Sequence, residues 1–159
     1  MAIRKTKTEI LTKAAMHYLV HLKLGVSVEL GVEAWGKLRA DLLALSWKKE
    51  VVIVEVKSCK ADFMTDRKYH RYLPFCHRMY FMIHHSDTGW MDKHVPKLKD
   101  LGIGILVLKP NGYVSVYKNA AKRKVEESIL DNLILRMAWR GAQFSKRNTP
   151  RRVRLYVEE

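Results

Sequence analysis

Two stretches of this sequence combine residue types that could run metal or acid–base chemistry. Asp41 interrupts the apolar run Leu38–Leu45, among Leu38, Ala40, Leu42, Leu43, Ala44 and Leu45. Glu55 and Lys57 close a second apolar run that begins Val51-Val52-Ile53-Val54. Two residues apart on a strand, Glu55 and Lys57 share one face. If the two runs form a hairpin around Ser46–Glu50, Leu45 pairs with Val51, and counting back sets Asp41 opposite Glu55 and Arg39 opposite Lys57. Directly opposed residues hold their Cβ atoms about 4.5–5.5 Å apart. A slip of one residue would turn Asp41 to the other face, so the chemistry depends on this register.

Facing carboxylates on a central strand repel unless something offsets the charge. A divalent cation does so. Mg²⁺ prefers carboxylate oxygens, keeps several waters, and takes one or two carboxylates together with substrate phosphate; Mn²⁺ is the natural alternative. Such a cation polarises a scissile phosphate and acidifies a bound water. Lys57 could orient or deprotonate that water, or stabilise charge developing on phosphorus. The base role requires a lowered lysine pKa, which burial would favour. An Asp followed by Glu-x-Lys is frequent by chance and usually marks a solvated strand end. The apolar surroundings, the in-register hairpin and the basic charge of the chain set this occurrence apart.

The elements that must position these residues can be read from periodicity. Thr6 and Glu9 fit a capping box, and Leu11, Ala15, Tyr18 and Leu22 follow at helical spacing up to Gly25, a glycine suited to ending the helix. Strand-like runs follow at Val26–Leu30, Leu38–Trp47 and Val51–Lys57. Val51–Val54 is apolar at both parities, as in a strand covered on both faces and central in its sheet. A helix is expected from Lys60 to Leu73, stopped by Pro74, then a strand Arg78–Ile83, a mixed segment Asp87–Leu101, a buried strand Ile103–Leu108 and an edge strand Tyr113–Tyr117. A last helix from Lys122 to Arg140, with Gly141 at its end, carries acids early and arginines late, as the helix dipole favours. The expected fold is α/β, with a restriction-endonuclease-like αβββαβ core: a central mixed sheet flanked by helices. Residues 1–141 read as one domain, with 142–159 as its basic C-terminal tail.

The stretches Arg39-Ala40-Asp41 and Val54-Glu55-Val56-Lys57-Ser58 resemble the core of the PD-(D/E)XK nuclease superfamily. Lys60-Ala61-Asp62-Phe63, Asp66-Arg67-Lys68 and Tyr72 through Phe81 resemble its MmcB-type branch, described as DNA-repair nucleases. The resemblance spans about residues 6–117. It implies catalytic Asp41, Glu55 and Lys57, with Mg²⁺ or Mn²⁺ on Asp41, Glu55, the Val56 main-chain carbonyl and an acid from the first helix, for which Glu9 is the candidate. Glu29 and Glu33 are further candidates as outer ligands. Ala40 stands where many members have proline, and His77 where the branch usually has aspartate; neither change touches the three catalytic residues. The implied activity is a metal-dependent endonuclease or nickase acting on DNA in repair, recombination or replication. The alternatives are a non-catalytic nucleic-acid-binding module and an RNA-directed nuclease on the same core.

Bulk composition agrees. Thirty Lys and Arg against 16 acids give a net charge of +14, and nucleic acid is the commonest partner of so basic a chain. Lys68, Arg67 and Arg71 beside the motif, and Arg151 and Arg152 in the tail, are candidate phosphate contacts; the bland alternative for the helix residues is a solvated face with an Asp66–His70 pair. Trp35, Trp47 and Trp90 could stack on bases or cover the edge of a core. His84 and His85, adjacent on a strand end, should point to opposite faces, with Ser86 or Asp87 capping a helix. Two cysteines without metal-knuckle spacing and the absence of a signal-like N-terminus or a spanning run suggest a reduced, cytoplasmic setting without membrane insertion. A homodimer is a further expectation, because nucleases that cut both strands often work in pairs.

Overall fold

The computed structural model describes residues 2–147, with side chains described from Thr6 to Ala142. Six strands form one sheet in the order β1 (Gly25–Gly31), β2 (Arg39–Leu45), β3 (Val51–Val56), β4 (Arg78–His84), β5 (Gly104–Leu108) and β6 (Val114–Lys118). The β3–β4 and β4–β5 pairs are parallel and the others antiparallel. With α1 (Ala2–His21) before β1 and α2 (Lys60–Thr65) between β3 and β4, the chain follows the expected αβββαβ order in a mixed sheet flanked by helices.

The apolar pattern explains the layers. Leu11, Ala15 and Leu19 recur every four residues and form the buried stripe of α1, which covers Leu42, Ala44, Val54, Val56 and Met82. The opposite face of the sheet carries Leu43, Ile53, Phe81 and Ile105. Phe63 from α2, Tyr69 and Tyr72 from the following 3-10 helix (Tyr69–Phe75), Met91 from α3 (Thr88–Met91), Leu98 from α4 (Val95–Asp100) and Leu133 from α5 (Glu127–Arg147) pack on it. β3 therefore buries both parities, as its continuous apolar run requires.

Several boundaries differ from expectation, each for a local reason. α1 starts at Ala2, so Thr6 lies inside the helix rather than at its cap. The helix ends one turn before Gly25 in a Schellman arrangement, with Leu24 N–H donating to Leu19 O at 3.2 Å and Lys23 N–H to Val20 O at 2.9 Å. Lys23, at φ +63°, takes the left-handed position that Gly25 was expected to fill. The expected helix Lys60–Leu73 breaks after Thr65. Asp66 turns its carboxylate back to the Lys68 N–H at 2.7 Å, a local side-chain bond that competes with helix. Pro74 then sits within the 3-10 helix rather than stopping an α-helix.

α5 begins at Glu127, not Lys122, because the preceding chain is tied to the body of the protein. The Arg123 N–H donates to His77 O at 2.9 Å, and its guanidinium to Leu101 O at 2.7 Å. The helix runs through Gly141 to Arg147. His85 leaves the strand, and its ring centroid lies 4.1 Å from that of His84 at a tilt of 39°, so the two histidines sit together rather than diverge.

Candidate active site

The expected hairpin register holds: Leu45 pairs with Val51 and Leu42 with Val54. One step on, side chains take over from the ladder. The Asp41 N–H donates to Glu55 Oε1 at 2.9 Å, and the Val56 N–H donates to Asp41 Oδ2 at 2.8 Å. Each carboxylate thus holds the backbone of the other's strand with one oxygen, which leaves Asp41 Oδ1 and Glu55 Oε2 for another partner. Glu55 is 5% exposed and Lys57 4%, although such residues are rarely buried without a partner.

Lys57 finds that partner on the next element. Its Nζ lies 2.5 Å from Asp66 Oδ2 and 5.7 Å from the centroid of the Phe81 ring. Its N–H bonds Met82 O on β4, which fixes the main chain at the end of the parallel pair. Asp66 can reach Lys57 because α2 stops there, and α2 is placed by Phe63, whose ring meets those of Tyr69 and Phe81. Asp62, in the first turn of α2, accepts from the Ser58 N–H at 3.1 Å and holds the segment after Lys57. Tyr72 donates to Arg39 O at 2.6 Å and closes the site from the β2 side.

Burial and mutual repulsion govern the charges. Burial, then the Asp41 carboxylate, push Glu55 up to about 8 against the pull of the Asp41 N–H and Lys57. Burial also raises Asp41, opposed by the Val56 N–H and Lys57 and reinforced by Asp62 and Glu29. Tyr72 is raised by burial and by Glu55, Asp41 and Asp66. The site holds more negative charge than it can accommodate unaided, and burial with the Asp41 charge favours the protonated form of Glu55 at neutral pH.

β1 brings a third acid into line. Val28 pairs with Leu42 and Leu30 with Ala40, so Glu29 stands opposite Asp41 in the register. Glu29 has φ +51°, an uncommon backbone state for a non-glycine residue. The hairpin changes face at this point. Val28 and Leu42 pack beneath α1, whereas Leu30 and Ala40 join the core on the other side.

A family model described as DNA repair protein MmcB-like matches residues 2–148. The chain belongs to the MmcB-like family. Membership ties it to DNA repair. A solved protein of unknown function from Silicibacter pomeroyi, SPO1766, shares the fold: TM-score 0.74, 21% identity, covering 94% of this chain and 96% of that one. Pyrococcus furiosus SfsA, solved in complex with Ca²⁺, matches at TM-score 0.35 and 13% identity over 70% of this chain and 61% of its own, too distant to argue from. No curated protein matches the chain.

In this MmcB-like chain the structure brings Asp41, Glu55 and Lys57 together at one end of the sheet and adds Asp66, which helical spacing alone would pair with His70. Only the break after Thr65 redirects Asp66 to Lys57. Glu9 does not join the site. It is exposed on α1, two residues from buried Leu11 and so on the far side of the helix, and it is not among the charges that act on Asp41. Among the described residues no three His, Cys, Asp or Glu side chains gather as a metal cage. Asp41 and Glu55 are the two carboxylates that meet across the β2–β3 hairpin.

Arg67, Lys68 and Arg71 are exposed beside the site. Arg71 pairs with Glu33 at 2.7 Å and ties the β1–β2 loop to the 3-10 helix. Arg151 and Arg152 lie outside the described residues. Trp35 and Trp47 are 88% and 97% exposed, while Trp90 covers a core edge, donating to Asp87 Oδ1 at 2.9 Å. Among the described residues no helix is long and apolar enough to cross a membrane.

Proposed function

We propose that this MmcB-like protein is a PD-(D/E)XK-type endonuclease or nickase that hydrolyses DNA phosphodiester bonds with a divalent metal. The observation that carries the reading is the pairing of half-buried Asp41 with buried Glu55, set face to face by the hairpin register with Lys57 following Glu55 at the end of β3. Carboxylates held together in a raised-pKa state fit an oxygen-seeking cation. Asp41 and Glu55 would hold Mg²⁺ or Mn²⁺, with the Val56 carbonyl as a main-chain donor and Glu29 as an outer acid. The bound cation supplies Lewis-acid polarisation of the phosphate and an acidified water.

The chain's own groups supply the rest. Lys57 has three N–H donors. Asp66 takes one and steers the ammonium, and the others can orient the attacking water or meet charge on phosphorus. Arg67 and Lys68, exposed just after Asp66, would contact the flanking phosphates of a strand, and phosphate contacts set register on DNA.

The test is cleavage of labelled duplex, single-stranded and branched DNA and of matched RNA, with Mg²⁺, Mn²⁺ or EDTA. Wild type and Lys57→Ala are compared, with binding measured for both. Metal-dependent cutting of DNA, lost in Lys57→Ala while binding persists, is the expected result. Binding without cutting under any metal would overturn the enzyme reading and leave a basic DNA-binding module. Cutting of RNA alone would transfer the same site to the other polymer.

A further inference from the structure

A groove of about 500 Å³ opens between the end of β1 and α5, lined by Leu30, Gly31, Leu135, Arg136 and Trp139. Leu30 and Gly31 pair with Ala40 and Arg39, so the groove begins one strand position from Asp41. Leu135 and Trp139, four apart on α5, are 66% and 65% exposed at its rim. Both are large apolar groups, and nothing in the described chain covers them. Arg136 between them has a buried Nε without a hydrogen-bond partner among the described residues. Buried guanidinium N–H groups are costly to leave unpaired, so this one suits an acceptor brought by a ligand. Arg136 also lines an adjoining hollow of about 200 Å³ with Glu33 and Ala34. The loop carrying those two residues presents Trp35 at its tip, closed by Val32 N–H to Leu38 O at 2.9 Å and by Gly36 N–H to Glu33 O at 3.0 Å.

We infer that this groove receives an unpaired DNA strand, with bases stacked on Trp139 and Trp35 and phosphate or base oxygens held by Arg136, so that the site selects DNA with an unpaired segment over intact duplex. The inference rests on the reading of Asp41 and Glu55 as a DNA-cleaving centre. Aromatic faces combined with cationic groups are how proteins hold single strands without reading sequence. In a duplex the base faces are stacked away and could not reach these rings. Trp35 is six residues from Asp41, a span of at most about 22 Å, so stacking there would hold the strand within a few nucleotides of the cut. The chain's net charge of +14 favours a polyanionic occupant over another copy of itself.

The test measures anisotropy of labelled oligothymidylate, blunt duplex and duplex with a single-stranded flap, all in EDTA, for wild type, Trp139→Ala, Arg136→Gln and Trp35→Ala. The unpaired substrates should bind more tightly than the blunt duplex. Each stacking variant should weaken them about tenfold while leaving duplex affinity within about twofold, and Trp47→Ala, on the opposite hairpin, should change neither. Trp139 and Trp35 are exposed, so their alanine variants should keep the wild-type melting temperature. Equal affinity for paired and unpaired DNA, or wild-type binding by Trp139→Ala, overturns the inference. So does a concentration-dependent dimer in sedimentation that Trp139→Ala abolishes without altering oligonucleotide affinity, since that result gives the groove to a second copy. Failure of the nuclease reading shows differently: no substrate is cut in metal, whatever the binding order.

Discussion

At the scale of single residues, the site is organised by two carboxylates too buried to be charged together. Glu55 is raised from its ordinary 4.5 to about 8, and Asp41 is raised beside it. The folded protein therefore keeps protons that the unfolded chain has released, and this contribution to stability is fully present only below the ordinary carboxylate range. It is lost as pH rises through about 8. His77 and His84, both lowered chiefly by burial, give the opposite slope, but only below their ordinary 6.5. Denaturant midpoints of metal-free protein should therefore fall between about pH 7 and 8.5, and Glu55→Gln should flatten that slope. Mn²⁺ should raise the midpoint more at the higher pH, because binding must displace the protons. A metal response independent of pH would count against the Asp41–Glu55 pair as the ligand set.

Asp66 belongs to the same scale. It neutralises Lys57 in a place where an unpaired ammonium would be costly, and removing one partner of a buried pair costs about 3–5 kcal/mol. Asp66→Asn should lower the melting temperature and, if Asp66 steers Lys57, reduce kcat with KM little changed. A loss of stability alone, with cleavage kinetics intact, would leave Asp66 a structural role.

At the scale of elements, α2 sets the position of Asp66, and Phe63 sets the position of α2. Phe63 meets Tyr69, Phe81, Trp90 and His94. Phe63→Ala should cost about 3–5 kcal/mol and weaken cleavage in the surviving folded fraction, read by urea titration and activity per folded molecule. A second constraint lies where β5 enters the sheet. A Cβ on Gly104 would meet the Tyr80 ring at 2.4 Å and the Ala120 backbone nitrogen at 2.6 Å. The ring could shift but the backbone atom could not, so Gly104→Ala should destabilise by about 1–3 kcal/mol. Gly36→Ala, with open space around it but φ +65°, should show a smaller cost arising from backbone strain alone.

At the scale of the whole molecule, 30 Lys and Arg residues against 16 acids predict DNA binding dominated by counterion release. The logarithm of the binding constant should fall linearly with the logarithm of salt concentration. Replacing both Arg67 and Lys68 by alanine should reduce the slope by about 1.8, since each duplex phosphate left without its cation removes about 0.9. An unchanged slope would place the strand elsewhere on the surface.

The sequence alone was enough for the order of the elements, the central position of Val51–Val56 and the facing of Asp41 and Glu55. These follow from local rules: period-two and period-3.6 burial, and a short hairpin whose loop sets the count. It placed boundaries less well where a specific side-chain or tertiary bond outweighs propensity, as at the end of α2, where Asp66 turns to Lys57 and to the Lys68 N–H, and before α5, where Arg123 is anchored to His77 and Leu101. It also could not decide which acids share a site. Glu9 follows a helical stripe that turns it outward, while Glu29 reaches the row of Asp41 only because β1 pairs in register with β2. The groove beside β1 was equally hidden, since Trp139 and Leu30 are distant in sequence and meet only when α5 folds back across the sheet. Such meetings depend on packing between elements, and the chain's local pattern carries no record of which distant surfaces will lie together.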